Sequence, residues 1–167
     1  QARSIAPIDA LFTAVSAVCV TGLTVLDTGT AFTLFGQIVI LCLVELGGLG
    51  IMTFSTFFAL LLFHRISFLE RQFLLETMAG FRVRNFIPLL TVIFLSAISI
   101  QGLGALFLIP PFIEGGASAG QAAYQAVFHS VAAFCNAGFS LFPDNLIRYQ
   151  SNLTVNLIIM GLIILGG

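Results

Sequence analysis

From Phe32 to Phe63 the chain carries a single charge, Glu45, and about 20 predominantly apolar residues suffice to cross a bilayer as a helix. The run predicts a spanning helix with length to spare, taken up by tilt, bending or extension beyond the bilayer. A second run, Phe86 to Ile109, has no charge and meets Pro110-Pro111. Two residues without amide donors predict that this span stops there. A third apolar run starts near Leu153 and reaches Gly167. It is too short to cross alone, so its remainder is expected downstream in a longer chain. The first residue, Gln1 rather than Met, fits the same expectation.

Two further apolar stretches, Pro7 to about Cys19 and Gln121 to about Cys135, have the length of re-entrant or interfacial segments. Pro7 suits the first turn of a helix, and Asp9 lies favourably against its dipole. Each stretch runs on into residues that a helix disfavours: Val18-Cys19-Val20-Thr21-Gly22-Leu23-Thr24 and Phe134-Cys135-Asn136-Ala137-Gly138-Phe139-Ser140. The expectation is a short helix followed by extended backbone, twice.

The two copies align. A shift of 116 residues pairs Ala10 with Ala126, Phe12 with Phe128, Val15 with Val131, Ala17 with Ala133, Cys19 with Cys135 and Gly22 with Gly138. Three further residues of shift pair Gln37 with Asn156 and Gly47-Gly48 with Gly166-Gly167. The repeating unit is a short helix, a Gly-containing loop and a long helix, and its copies run parallel rather than inverted. Non-helical backbone cannot face lipid unless it lines a water-filled path or is buried in protein. Short helices that aim their C-terminal ends at the bilayer centre offer about half a negative charge each, and carbonyls beyond them can replace a cation's water shell. Val20, Thr21, Gly22, Leu23 and Thr24, with Asn136, Ala137, Gly138, Phe139 and Ser140, are therefore candidate filter residues for a bare monovalent cation bound by backbone carbonyls. Gly22 and Gly138 permit the backbone angles such loops need.

Composition agrees: 59% of the 167 residues are hydrophobic and 8% charged, against about 25% charged in soluble domains. A soluble globular fold is excluded, and an all-α membrane protein with the lipid bilayer as solvent is expected. The net charge of -1 and the lack of a long basic tract exclude nucleic acid as a partner. No nucleophile with its base and no recurrent metal-ligand spacing supports an enzyme, and nothing calls for a covalent cofactor. Cys19, Cys42 and Cys135 read as buried neutral thiols. Four of the six basic residues, Arg65, Arg71, Arg82 and Arg84, lie in the stretch 64–85, which places it in the cytoplasm. Loops 112–120 and 141–152 are then external. Phe68, Phe73, Leu74, Met78 and Phe81 in the cytoplasmic linker fit an interfacial amphipathic helix or a helix packed on neighbouring protein, and the interfacial helix is preferred.

Asp9-Ala10-Leu11-Phe12-Thr13-Ala14, the run Val18 to Thr24, Leu26-Asp27-Thr28-Gly29, Phe32-Thr33-Leu34-Phe35-Gly36-Gln37 and Leu46-Gly47-Gly48-Leu49-Gly50-Ile51-Met52-Thr53 resemble the Trk/Ktr/HKT superfamily of potassium transporters, most closely the Ktr-type membrane subunit. Phe128-His129-Ser130-Val131-Ala132-Ala133-Phe134-Cys135-Asn136-Ala137-Gly138-Phe139 resembles that family's second pore loop. The resemblance implies four linked repeats of outer helix, pore helix with filter loop and inner helix around one permeation path, as in a potassium channel. On that map residues 1–63 are the pore loop and inner helix of the first repeat, 64–85 a cytoplasmic linker, and 86–167 the second repeat with a truncated inner helix. It implies uptake of K+, or Na+, across the cell membrane, with the remaining repeats of the same chain as partners. A homodimer of full-length subunits and a cytosolic nucleotide-binding regulatory ring are implied as well. Members of the family that prefer Na+ carry Ser at the first filter glycine. Repeats three and four would be absent, so two filter loops alone should not conduct. The rival reading is a Na+- or H+-coupled secondary transporter with a broken-helix binding site.

Glu45, mid-helix in the first inner span, either faces a cation cavity or bonds to a neighbouring helix. His129 reads as a hydrogen-bonded packing residue rather than a ligand. Gly47, Gly48 and Gly50 are expected to allow close helix packing rather than to hinge. The sequon at Asn152-Leu153-Thr154 abuts the third span and is discounted.

Overall fold

The computed structural model describes residues 5–63 and 86–167, with side chains for all of these except 51–63 and 86–90. The regular elements among them are helices: α1 (Pro7–Val18), α2 (Thr28–Ala31), α3 (Leu34–Phe63), α4 (Phe86–Glu114), α5 (Ala119–Phe134) and α6 (Leu153–Gly166), with a 3-10 turn at Ile147–Tyr149 before α6. This is an all-α membrane protein. The segment Thr91–Glu114 of α4 is by itself long and apolar enough to cross a bilayer. The proposed interfacial helix and the basic linker 64–85 lie outside the described residues.

Local chemistry sets the helix starts. α1 opens on Pro7, whose missing amide is no loss in a first turn, with Asp9 following. α5 begins at Ala119, two residues earlier than its apolar pattern, because Ser118 and Gln121 form a reciprocal capping box. At α6 the Asn152 side chain accepts from the Val155 amide at 3.2 Å.

Pro110-Pro111 does not end the second span, contrary to expectation: α4 continues through both prolines to Glu114. A proline forfeits its own donor yet keeps a helical φ and an accepting carbonyl, and the Pro111 carbonyl takes the Gly115 amide at 3.0 Å. Packing supplies the reason to continue. Phe112 is completely buried, with its ring centroid 5.0 Å from Tyr149, 5.5 Å from Phe142 and 5.6 Å from His129. The helix stops where Gly116, at φ 96°, allows a left-handed turn that returns the Ala117 amide to the Phe112 carbonyl.

α1 lies along α3 and α5 lies along α6, giving two like pairs that meet where α3 touches α5; α4 packs on both α5 and α6. One core joins the pairs through Ala17, Val44, Phe128 and Phe139. A second, under the 141–152 linker, gathers Leu108, Phe112, Ala126, Phe142 and Tyr149. Of the three thiols expected to be buried, Cys135 is, whereas Cys19 and Cys42 lie on the surface of this chain. On an apolar membrane helix such exposure need not be to water, so a thiol gains little from burial there.

Candidate functional site

Both short helices end in the same way, residue for residue. In the first, the Cys19 amide donates to the Val15 carbonyl at 2.8 Å, Val20 to Ala17 at 3.2 Å and Thr21 to Ser16 at 3.0 Å. In the second, Cys135 donates to Val131 at 2.9 Å, Asn136 to Ala133 at 3.0 Å and Ala137 to Ala132 at 2.8 Å. This is a Schellman termination, which requires a left-handed residue after the cap. Val20 at φ 55° and Asn136 at φ 56° supply it. Expected to be extended, these two residues are instead the turns that release the chain from its helix, and the loop proper starts beyond them.

Two residues further, Gly22 and Gly138 both stand at φ 71°. L side chains rarely adopt this conformation, so glycine is required on backbone grounds. The loops also meet here. A Cβ on Gly22 would overlap the Ala137 carbonyl oxygen, and one on Gly138 would lie 3.5 Å from the Gly22 Cα. The ten candidate filter residues are thus brought together as two facing segments, 20–24 and 136–140. Ala137 and Phe139 turn their side chains into the core, whereas Thr21, Leu23, Thr24 and Asn136 are exposed.

The long helices repeat the pattern. A Cβ on Gly47 would overlap the Val18 carbonyl oxygen, and one on Gly166 the Phe134 carbonyl oxygen. In each pair the last turn of the short helix thus rests on a bare patch of the long one. Gly48 receives Cys135, whose Sγ would come within 2.7 Å of a Cβ there, while among the described residues a Cβ on Gly50 would meet nothing within 4 Å. Among these residues close packing accounts for Gly47 and Gly48.

The side chains that tether the loops are not repeated. In the first loop the Ser16 and Thr21 hydroxyls bond at 2.9 Å, just before Gly22. Their counterparts Ala132 and Ala137 have no hydroxyl. In the second loop His129, 3% exposed, bonds through Nδ1 to the Gln125 carbonyl at 2.7 Å and through Nε2 to Ser140 Oγ at 3.0 Å. A carbonyl only accepts, so Nδ1 carries the ring proton and Nε2 is the acceptor. The Ser140 hydroxyl and, at 3.4 Å, the Leu141 amide both donate toward Nε2. Thr13 occupies the equivalent place in α1 and bonds only its own helix, donating to the Asp9 carbonyl at 2.8 Å.

Outside the loops, Gln37 ties the linker together. Its amide donates to the carbonyls of Thr28, Gly29 and Phe32 at 3.3, 3.1 and 3.0 Å, and its oxygen accepts from the Tyr124 hydroxyl of α5 at 2.8 Å. Its counterpart Asn156 likewise donates to the preceding linker, to the Gln150 carbonyl at 2.9 Å. Arg148 donates to Asp144 at 2.8 Å, holding that exposed carboxyl below its ordinary range, and lies 4.7 Å above the centre of the Phe142 ring. Phe142 stacks in turn on His129, with centroids 4.6 Å apart.

Glu45 stands at the seam between the pairs. Its two carboxylate oxygens accept from Gln101 Nε2 of α4 at 3.2 and 3.1 Å, and one accepts from the Cys135 thiol at 3.5 Å. A cavity of about 360 Å³ beneath the loops is lined by Val20, Gly48, Cys135, Asn136 and Gly166 among others; Glu45 is not one of its walls. Gln101, Tyr124 and Ser16 escaped sequence reading, because an isolated polar residue in an apolar run names no partner. Among the described residues no three His, Cys, Asp or Glu side chains converge as a metal site. Chemically the arrangement offers carbonyl oxygens and the negative ends of two helix dipoles at one place, which suits a weakly held cation.

The whole chain, residues 1–167, matches a family model described as cation transport protein, TrkH. It is 47% identical over 161 residues to the Ktr system potassium uptake protein B of Bacillus subtilis, covering 96% of this chain and 36% of that protein. It is 42% identical over 161 residues to the potassium/sodium uptake protein NtpJ of Enterococcus hirae, covering 96% of this chain and 35% of the relative. To the Ktr system potassium uptake protein B of Vibrio alginolyticus it is 39% identical over 160 residues, 95% of this chain and 35% of the relative. The chain thus spans about a third of the length of these relatives. With short helices, facing glycine loops and long helices all inside the matched region, the chain belongs to the TrkH family of cation transport proteins.

Proposed function

We propose that this chain supplies two filter segments of a potassium-uptake path through the cell membrane, with K+ or Na+ held by backbone carbonyls of residues 20–24 and 136–140. The observation that carries the reading is the meeting of two identically terminated short helices at Gly22 and Gly138, both at φ 71°. Desolvating a cation requires several oxygens at fixed spacing, which facing carbonyl rows provide and a single loop does not. The remaining oxygens would come from further repeats of a longer chain. On this reading 64–85 is cytoplasmic, 112–120 and 141–152 are external, the full-length subunit forms a homodimer, and the cytoplasmic side docks a nucleotide-binding ring.

Gly22→Ser in the full-length transporter tests the filter. The substitution strains a left-handed position and drives a Cβ into the Ala137 carbonyl, so K+ over Na+ discrimination should fall by roughly tenfold or more, the weight of about 1.4 kcal/mol. The measurement is 86Rb+ and 22Na+ uptake in cells lacking their own potassium transporters. Unchanged discrimination at matched expression would remove these loops from the ion path.

A further inference from the structure

Different hydrogen bonds hold the two loops. Loop one is tied before its glycine, by Ser16 and Thr21; loop two is tied after it, by His129 and Ser140, with a longer bond before it from Asn136 Nδ2 to the Ile163 carbonyl at 3.4 Å. Behind loop two the wall is thin, since a cavity of about 260 Å³ lined by His129, Ala132, Gly138 and Phe139 lies against it. Phe139 is buried in the core, so packing fixes one side of the segment and a hydrogen-bonded connection must fix the other.

The connection that does so is continuous. The Phe142 amide donates to Ser140 Oγ at 3.0 Å, the Ser140 hydroxyl donates to His129 Nε2, and His129 Nδ1–H donates to the Gln125 carbonyl inside α5. The Leu141 amide is also directed at Nε2, at 3.4 Å, so Nε2 is the acceptor of the Ser140 link, as the neutral ring protonated at Nδ1 requires. The ring itself is clamped, stacked on Phe142 and edge-on to Phe112 and Phe128. A rigid side chain thus transfers the position of a rigid helix to Ser140, two residues past Gly138.

We propose that His129 is a positioning residue for ion selection: through Ser140 it sets the outer end of the second filter segment, an end that has no such tether in the first among the described residues. His129 touches no ion; it fixes how far apart the outer carbonyls stand. The inference rests on the filter reading above and deepens it.

The test uses the full-length transporter, with 86Rb+ and 22Na+ uptake measured over a range of external concentrations for His129→Ala, Ser140→Ala, Ser140→Thr and Gly138→Ser. His129→Ala and Ser140→Ala should each lower K+/Na+ discrimination roughly five- to tenfold, about the weight of one hydrogen bond. The double variant should lose no more than the worse single one, since both cut the same link. Ser140→Thr keeps the hydroxyl and should retain more discrimination than Ser140→Ala. A merely structural role would lower the amount of protein or the maximal rate and leave the ratio alone. If Ser140→Ala and any expressed His129 variant keep the parental ratio while Gly138→Ser changes it, the tether is refuted and the filter reading stands. If Gly138→Ser also leaves the ratio untouched, the filter reading fails and the proposal fails with it. Because Ser140→Ala removes a single oxygen, it keeps the test decisive even where His129→Ala does not fold.

Discussion

At Gly47 two opposing effects can be weighed against each other. Alanine is the better helix former by about 1 kcal/mol, yet its Cβ would overlap the Val18 carbonyl oxygen. Backbone cannot swing aside as a flexible side chain can, and overpacking typically costs about 1–3 kcal/mol. Gly47→Ala should therefore lower the thermal stability of the detergent-purified transporter. Gly50→Ala, where a Cβ meets nothing within 4 Å among the described residues, should leave it equal or higher. Melting curves followed by size-exclusion fluorescence would decide; a rise at both positions would show that helix propensity, not fit, governs them. Val20 is the other residue held against its preference. A β-branched side chain at φ 55° costs on the order of 1–3 kcal/mol, offset by the turn bonds it closes. Asn136 occupies the matching position at less cost, since asparagine tolerates the left-handed region.

Among the elements, the short helices were legible in the sequence because length and repetition agree. Pro7 marks one start, a Gly loop follows each end, and the shift of 116 superimposes them. The start of α5 was legible only to within two residues, because the Ser118 and Gln121 capping box lies ahead of the apolar stretch that marks the helix. What the pattern could not convey is tertiary preference. Pro110-Pro111 reads as a stop on local chemistry alone; the fully buried Phe112 ring beyond it decides otherwise. The candidate site was legible to the level of its glycines, because φ 71° leaves a residue-type imprint. Its tethers were not. Thr13 and His129 hold equivalent places in the repeat, and nothing in their neighbours says that only His129 reaches the loop.

For the molecule as a whole, the proposed sidedness makes a direct prediction. In a background without Cys19, Cys42 and Cys135, Ala117→Cys should react with an impermeant thiol reagent applied outside intact cells and Ser67→Cys should not. The reverse result would turn the map upside down. The seam at Glu45 bears on how such a molecule is made. Its hydrogen-bonding partner Gln101 lies 56 residues later in the chain, so α3 emerges from the ribosome before that partner exists to receive its carboxylate. A charged group at mid-helix costs about 3 kcal/mol on membrane-insertion scales, which makes α3 a poor candidate to enter lipid first and alone. Nascent chains ending before Gln101 should insert α3 inefficiently, Glu45→Leu should restore them, and chains long enough to include α4 should insert without help. Glycosylation mapping of stalled chains reads this directly, and equal insertion at every length would refute it. Length-dependent insertion would make the carboxylate a timer in biogenesis, holding the first pair at the translocon until the second arrives.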